Sequence, residues 1–152
     1  MSCSAIMTRN PVTLHADESV AAAATKLIEQ KFISLPVVDS EGCYAGMFGV
    51  NDLLSMLVPR VALAGNVVAN LRFIGDDPAE LRKRYAELKS RRVGDSLDRG
   101  ASTLTPETPQ NEAIQLLCQS HNALAVIDPA TRKVVGVITG WDAIGAIAGA
   151  TT

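Results

Sequence analysis

The sequence predicts a mixed α/β (α+β) fold made of two copies of one strand-helix-strand-strand-helix unit, with a helical insertion between them. Three observations lead there. One short stretch occurs twice, as Gly46-Met47-Phe48-Gly49-Val50-Asn51-Asp52 and as Gly136-Val137-Ile138-Thr139-Gly140-Trp141-Asp142, with glycine and aspartate in the same places. Its surroundings recur too: Leu35-Pro36-Val37-Val38-Asp39 matches Leu124-Ala125-Val126-Ile127-Asp128, and Thr13-Leu14-His15-Ala16-Asp17-Glu18 matches Thr103-Leu104-Thr105-Pro106-Glu107-Thr108. Between these landmarks, segments of helical periodicity and short β-prone runs alternate in the same order in both halves. The division is residues 1–58, an insertion at 59–92, and residues 93–152.

In the first unit, residues 1–18 are a lead-in. Ala5, Ile6 and Met7 form a short apolar anchor, Asn10-Pro11 signals a turn, and Val12, Thr13 and Leu14 make a short strand. Asp17 or Ser19 caps a helix running to about Lys31, with Val20, Ala23, Ala24, Leu27 and Ile28 on one buried face. Residues 32–39 turn into a strand, Ser40-Glu41-Gly42 is a hairpin loop, and residues 44–48 return. Val50 begins a second helix, with Leu53, Leu54, Leu57 and Val58 inward, and Pro59 ends it or starts a new one.

The insertion opens with an apolar stretch, residues 59–75, that reads as helical despite Gly65 and Asn66. Asp76-Asp77-Pro78-Ala79-Glu80 then starts a helix: a capping aspartate, proline at the first helical position, and an early glutamate. Leu81, Tyr85 and Leu88 face inward, and Arg82, Lys83, Arg84 and Lys89, followed by Arg91 and Arg92, make a basic outer face. Such a face is solvated, or it is a partner surface or a set of cations reaching a ligand's phosphates. The second unit begins near Val93. Pro109 opens its first helix, with Ala113, Ile114, Leu116 and Leu117 apolar; residues 124–127 and 134–138 are strands, and residues 142–148 a closing helix ending at Gly149.

Length and composition narrow the function. At 152 residues and 47% apolar, the chain suits one compact domain or two small ones sharing a core. A net charge of −2 and 4% aromatics argue against nucleic acid as the main ligand. Cys3, Cys43 and Cys118 follow no metal-ligand spacing, and His15 and His121 lie far apart, so no metal site is expected. No apolar run approaches the roughly 20 residues that span a bilayer, so no membrane partner is expected either. With no signal peptide visible, the reading is a reducing, cytoplasmic setting.

The repeated stretch carries the chemistry. Thr139 is a good N-cap and Asp142 falls in the first helical turn, so a hydroxyl and a carboxylate stand at a helix N-terminus with free N–H groups. That cradle suits a sugar and a phosphate; a lone Thr-x-x-Asp is better explained as a plain capping box, and it is the repetition of the stretch that favours a site. A three-stranded sheet with helices on one face leaves its other face bare. Two such units can bury those faces together and leave clefts between them.

At this point the residues resemble a known family. Ile6-Met7-Thr8-Arg9-Asn10-Pro11-Val12-Thr13, then Leu35-Pro36-Val37-Val38-Asp39, then residues 46–52, resemble a cystathionine β-synthase (CBS) domain, and residues 93–144 resemble a second. The resemblance implies two β-α-β-β-α repeats in a pseudo-twofold pair, commonly a disc-like homodimer. It also implies an adenosyl ligand such as AMP, ADP, ATP, NAD or S-adenosylmethionine, sensed on behalf of a regulated partner protein. Carried over, Asp142 and Asp52 would take ribose hydroxyls and Thr139 a phosphate. The base would lie against Asn10, Pro11, Val12, Ile33, Ser34 and Leu35 in the first unit. In the second it would lie against Ala101, Ser102, Thr103, Asn122, Ala123 and Leu124.

The departures from the family pattern matter. Gly49 stands where the motif has Thr or Ser, and Ala125 replaces a proline. Positions 33, 34, 122 and 123 carry no cation; Arg9 and Arg99, at matching lead-in positions, either substitute or are plain loop arginines. The second site is therefore expected to be the better one, with AMP or NAD favoured over ATP. Trp141 either stacks on a ligand or packs at a surface. No nucleophile with an adjacent base and no Walker-type loop is visible, so no enzyme is expected. The alternative to a ligand sensor is a structural dimerisation module with degenerate, non-binding sites.

Overall fold

The computed structural model describes residues 2–57, 78–97, 99–120 and 123–149. Val58, Pro59, the apolar 59–75 stretch, Asp76, Asp77 and Asn122 lie outside the described residues.

The first unit runs β2 (Leu14–His15), α1 (Val20–Gln30), β3 (Ser34–Val38), β4 (Tyr44–Gly49), α2 (Val50–Leu57). The second runs β5 (Thr103–Leu104), α4 (Gln110–Gln119), β6 (Leu124–Ile127), β7 (Val134–Ile138), α5 (Gly140–Ala148). Between them stands α3 (Pro78–Leu88), and ahead of everything β1 (Thr8–Arg9). In each unit a parallel pair (β2 with β3, β5 with β6) is followed by an antiparallel one (β3 with β4, β6 with β7). Each central strand breaks register at the same place, between Val37 and Val38 and between Val126 and Ile127.

Local rules account for most elements. Ser19, rather than Asp17, caps α1: its side chain accepts from the Ala22 amide at 3.1 Å. Val20, Ala23, Ala24 and Leu27 of α1 are buried as expected, but Ile28 is 72% exposed. At 3.6 residues per turn it sits roughly a quarter-turn off the centre of that stripe. No residue of α2 is fully buried, and Leu54 is 53% exposed. The residues of α2 that touch the core are Leu53 and Met56, one helical line on a short helix riding at the rim. Pro36 sits in β3 where β2, which pairs only with Val37 and Val38, leaves its edge unpaired, so the missing N–H costs no ladder bond there. In the second copy the parallel pairing starts one residue earlier, at Thr103 with Ala125.

Each half completes the other's core. The turn at Cys3–Ala5 and Met7 pack into the second unit, among Leu104, Ala113, Leu124, Val126 and Ile138. The Cys3 amide donates to the Thr108 carbonyl at 2.8 Å, and β1 pairs antiparallel with β7 as a fourth strand. Reciprocally, the turn at Val93–Asp95 lies in the first unit: Val93 packs among Leu14, Val20, Leu35 and Phe48, and its amide donates to the Glu18 carbonyl at 2.8 Å. Arg92 meets the Asp17 carboxylate beside it. The two sheets join through Met47, Ala125 and Ile127, with Tyr44, Ala101 and Ala123 at the margin. This is the burial of two bare sheet faces that the repeat predicts. In α3, Leu88 is buried and Leu81 and Tyr85 are half-buried; Arg82 and Lys83, and Lys89, Arg91 and Arg92 beyond its end, are exposed, whereas Arg84, expected on the same basic face, is half-buried and pairs with Glu80.

Candidate functional site

The site is built from the end of β7. Small and branched residues carry the strand to Ile138, and Thr139 leaves it in an extended conformation (φ −112°, ψ 169°) to cap α5. The Thr139 hydroxyl accepts from the Asp142 amide at 3.3 Å, and Asp142 Oδ2 accepts from the Thr139 amide at 2.8 Å and from its hydroxyl at 3.1 Å. This is a reciprocal capping box, satisfying two otherwise orphan amides. The other carboxylate oxygen of Asp142 accepts from the Thr8 hydroxyl at 3.5 Å.

Thr8 comes from the far end of the chain. Strand β1 aligns Thr8 with Val137 and Arg9 with Gly136. Gly136 makes that approach possible: a Cβ there would stand 2.7 Å from Met7 Sδ and 2.9 Å from the Thr8 carbonyl oxygen. Beyond β1 the backbone turns through Asn10 in the left-handed region (φ 50°) and passes Pro11 and Val12 along the same wall. The opposite wall is the end of α1, where Lys31 turns left-handed (φ 57°) and delivers Phe32, Ile33 and Ser34. Buried Ser34 ties the halves together, its Oγ accepting from the Ala123 amide at 3.0 Å.

Two adjoining cavities result. One, of about 410 Å³, is lined by Lys31, Phe32, Ile33, Ser34, Leu117, Ser120, Ala123, Thr139, Gly140, Trp141 and Ile144. The other, of about 340 Å³, is lined by Thr8, Asn10, Pro11, Val12, Gln30, Leu35 and Val137, and shares Lys31, Phe32, Ser34, Ala123, Thr139 and Trp141 with the first. Because they share a wall, they form one cleft, within the size range of small-molecule sites. Its lining is mostly apolar with a few hydroxyls. Trp141 stands at its mouth, 84% exposed.

The cleft regroups the residues expected from the sequence. Asn10, Pro11, Val12, Ile33, Ser34 and Leu35, assigned there to the Asp52 side, line the cleft that holds Thr139. The exchange of lead-ins brings Asn10, Pro11 and Val12 there, and the packing of the two units, with Ser34 bonded to the Ala123 amide, brings Ile33, Ser34 and Leu35. Asp142 lies one hydrogen bond behind the lining, held by Thr8 and Thr139, which do line it. Ala123 lines the cleft, Leu124 is buried in the second core, and Asn122 lies outside the described residues. Ser102, Thr103 and Asp52 line neither cavity. Asp52 Oδ2 accepts from the Gly49 amide at 2.8 Å, half of the box that Thr139 and Asp142 complete. Arg9 and Arg99 make matching bonds to turn carbonyls, of Ser4 at 3.2 Å and of Gly94 at 3.0 Å, and neither lines the cleft. Among the residues the sequence reading missed are Thr8, Phe32 and Lys31; the signal for Lys31 was its place at the helix end just before the Ile33-Ser34-Leu35 segment. Among the described residues no cluster of His, Cys, Asp or Glu could hold a metal ion, and no helix is long and apolar enough to cross a membrane.

Comparison with known proteins decides the family. The CBS domain model matches residues 3–59 and again 93–149. The chain belongs to the CBS domain family. Its fold is that of solved CBS pairs. CBSX2 from Arabidopsis thaliana is 22% identical, with 98% of this chain and 95% of that one covered and a TM-score of 0.76. CBSX2 in complex with AMP is 23% identical over 98% and 97% of the two chains, with a TM-score of 0.71. The CBS pair of MJ0100, solved with 5′-methylthioadenosine and S-adenosyl-L-methionine, is 19% identical over 99% and 98%, with a TM-score of 0.67. No curated protein sequence matches this CBS pair significantly.

Proposed function

We propose that this CBS pair is a regulatory module that binds an adenosyl ligand in the Thr139 cleft and passes the resulting change to a partner protein. The observation that carries the reading is the cleft itself: its walls come from both repeats, so a ligand there bears on how the halves sit together. A ligand shifts such an equilibrium only by preferring one state. The Thr139 and Ser34 hydroxyls, the amides opening α5 and the apolar faces of Phe32 and Trp141 suit a sugar, a phosphate and a base respectively. The AMP of CBSX2 and the adenosyl ligands of MJ0100 support the class. AMP or NAD is favoured over ATP, because one lysine is too little charge for a triphosphate. The role is binding, not catalysis. The protein works as a homodimer, through apolar helix residues left exposed, and in the cytoplasm, where its three free cysteines stay reduced.

Trp141 is the chain's one tryptophan, so its emission reports on the cleft. Titration of nucleotide-free protein with AMP, NAD, ATP and S-adenosylmethionine, followed by calorimetry and by Trp141 fluorescence, is expected to give saturable binding of AMP or NAD, weakened about tenfold in Thr139→Ala. No response to any of them sinks the proposal.

One observation favours a second reading, a dimerisation module with non-binding sites: Asp52 and Asp142 are both engaged by neighbouring amides. It requires that no adenosyl compound bind and that the dimer be unchanged when both aspartates become alanine.

A further inference from the structure

The described lining of the cleft carries one charge. Among the described residues that line either cavity, every side chain but Lys31 is neutral. Lys31 lines both cavities, is exposed, and has no ion-pair partner among the described residues. An ammonium on a mostly apolar wall favours an anionic group and disfavours a cationic one.

Its backbone sharpens the point. Lys31 closes α1 in the left-handed conformation (φ 57°, ψ 36°), where glycine is the unstrained choice. A lysine therefore occupies a position whose backbone does not favour it. The matching helix of the second repeat, α4, ends at Ser120 in an extended conformation (φ −112°, ψ 135°), with no charge. Both helix ends line the cavity that holds Thr139, and of the two capping residues Lys31 is the one that brings a charge to it.

From this we infer that Lys31 sets ligand specificity: it selects a phosphate-bearing adenosyl ligand, one per chain, over neutral or sulfonium adenosyl compounds. The inference rests on the adenosyl reading above and narrows it. The ammonium meets the phosphate from the α1 side while the opening of α5 faces it from the other. A sulfonium ligand placed there is repelled.

The test compares AMP, adenosine, 5′-methylthioadenosine and S-adenosylmethionine by calorimetry on the full, nucleotide-free protein and on two variants, Lys31→Gly and Lys31→Arg. The wild type is expected to bind one AMP per chain, more tightly than the other three, with an affinity that falls as salt rises. Lys31→Gly should weaken AMP about tenfold and leave adenosine unchanged, while Lys31→Arg should keep AMP binding. Thermal melting confirms that Lys31→Gly is folded, since glycine relieves the backbone. AMP affinity unchanged in Lys31→Gly overturns the role of Lys31. S-adenosylmethionine or 5′-methylthioadenosine binding the wild type as tightly as AMP overturns the selection of an anion. If no adenosyl compound binds the wild type, the reading beneath the inference is what fails.

Discussion

Gly49 has no room for a side chain. A Cβ there would stand 2.6 Å from the Ile33 carbonyl oxygen and 2.7 Å from Ser34 Cβ, so the hydroxyl that Thr139 supplies in the second repeat has no place in the first. Gly49→Thr is therefore expected to cost about 2 kcal/mol in urea unfolding, with no gain in nucleotide affinity. Lys31 is the opposite case, a side chain kept on strained backbone. Since a left-handed non-glycine residue costs about 1 kcal/mol, Lys31→Gly should melt no lower than the wild type in a calorimetric scan. Cys3 gives stability a pH dependence. Burial, with the nearby Glu112 carboxylate adding to it, holds its thiol above the ordinary 9.0. The unfolded chain loses that proton first, so the stability Cys3 contributes is full below pH 9.0 and is lost as pH rises toward the folded value. Denaturant midpoints measured on either side of that value should fall at the alkaline end, and less steeply in Cys3→Ala.

At the scale of elements, the exchanged lead-ins decide cooperativity. Met7 is nine-tenths buried in the second core, and Val93 is fully buried in the first. Met7→Ala should cost about 3 kcal/mol and Val93→Ala about 2 kcal/mol, as cavities in packed cores do. Because each turn is covalently part of the other half, both variants should keep one coincident unfolding transition by fluorescence and circular dichroism. Two separate transitions would show that the repeats fold independently. Met7→Ala should also weaken ligand binding, since β1 carries Thr8 into the cleft and leads into Asn10, Pro11 and Val12.

For the whole molecule, α2 and α5 carry apolar residues left exposed. Val50 and Leu54 on α2, and Trp141, Ile144 and Ile147 on α5, follow helical spacing and are exposed. Such stripes mark interaction surfaces. Leu54→Glu combined with Ile147→Glu, neither of them in the cleft lining, should weaken the proposed homodimer at least about a hundredfold, so that sedimentation shows monomer at micromolar concentration. A dimer that persists would place the interface elsewhere.

Unlike β1, the strand-helix-strand-strand-helix order of each repeat, a cap at Asp17 or Ser19, the Thr139 cap, the Thr139–Asp142 pair and the kinship of the halves were legible in the sequence. Each depends on neighbours within a few residues or on direct repetition, and such signals survive without a third dimension. The sequence could not tell which half each lead-in completes. A short segment such as Ile6-Met7-Thr8 has the same composition whether it folds back on its own unit or crosses to the other, and only the match of Gly136 to Met7 and Thr8 settles the crossing. For the same reason the grouping of these residues in one cleft was out of reach. Asn10, Pro11, Val12 and Ser34 meet Thr139 through pairings that span the chain, and Lys31 faces them because a left-handed turn ends its helix. Local chemistry wrote the parts; long-range packing chose their partners.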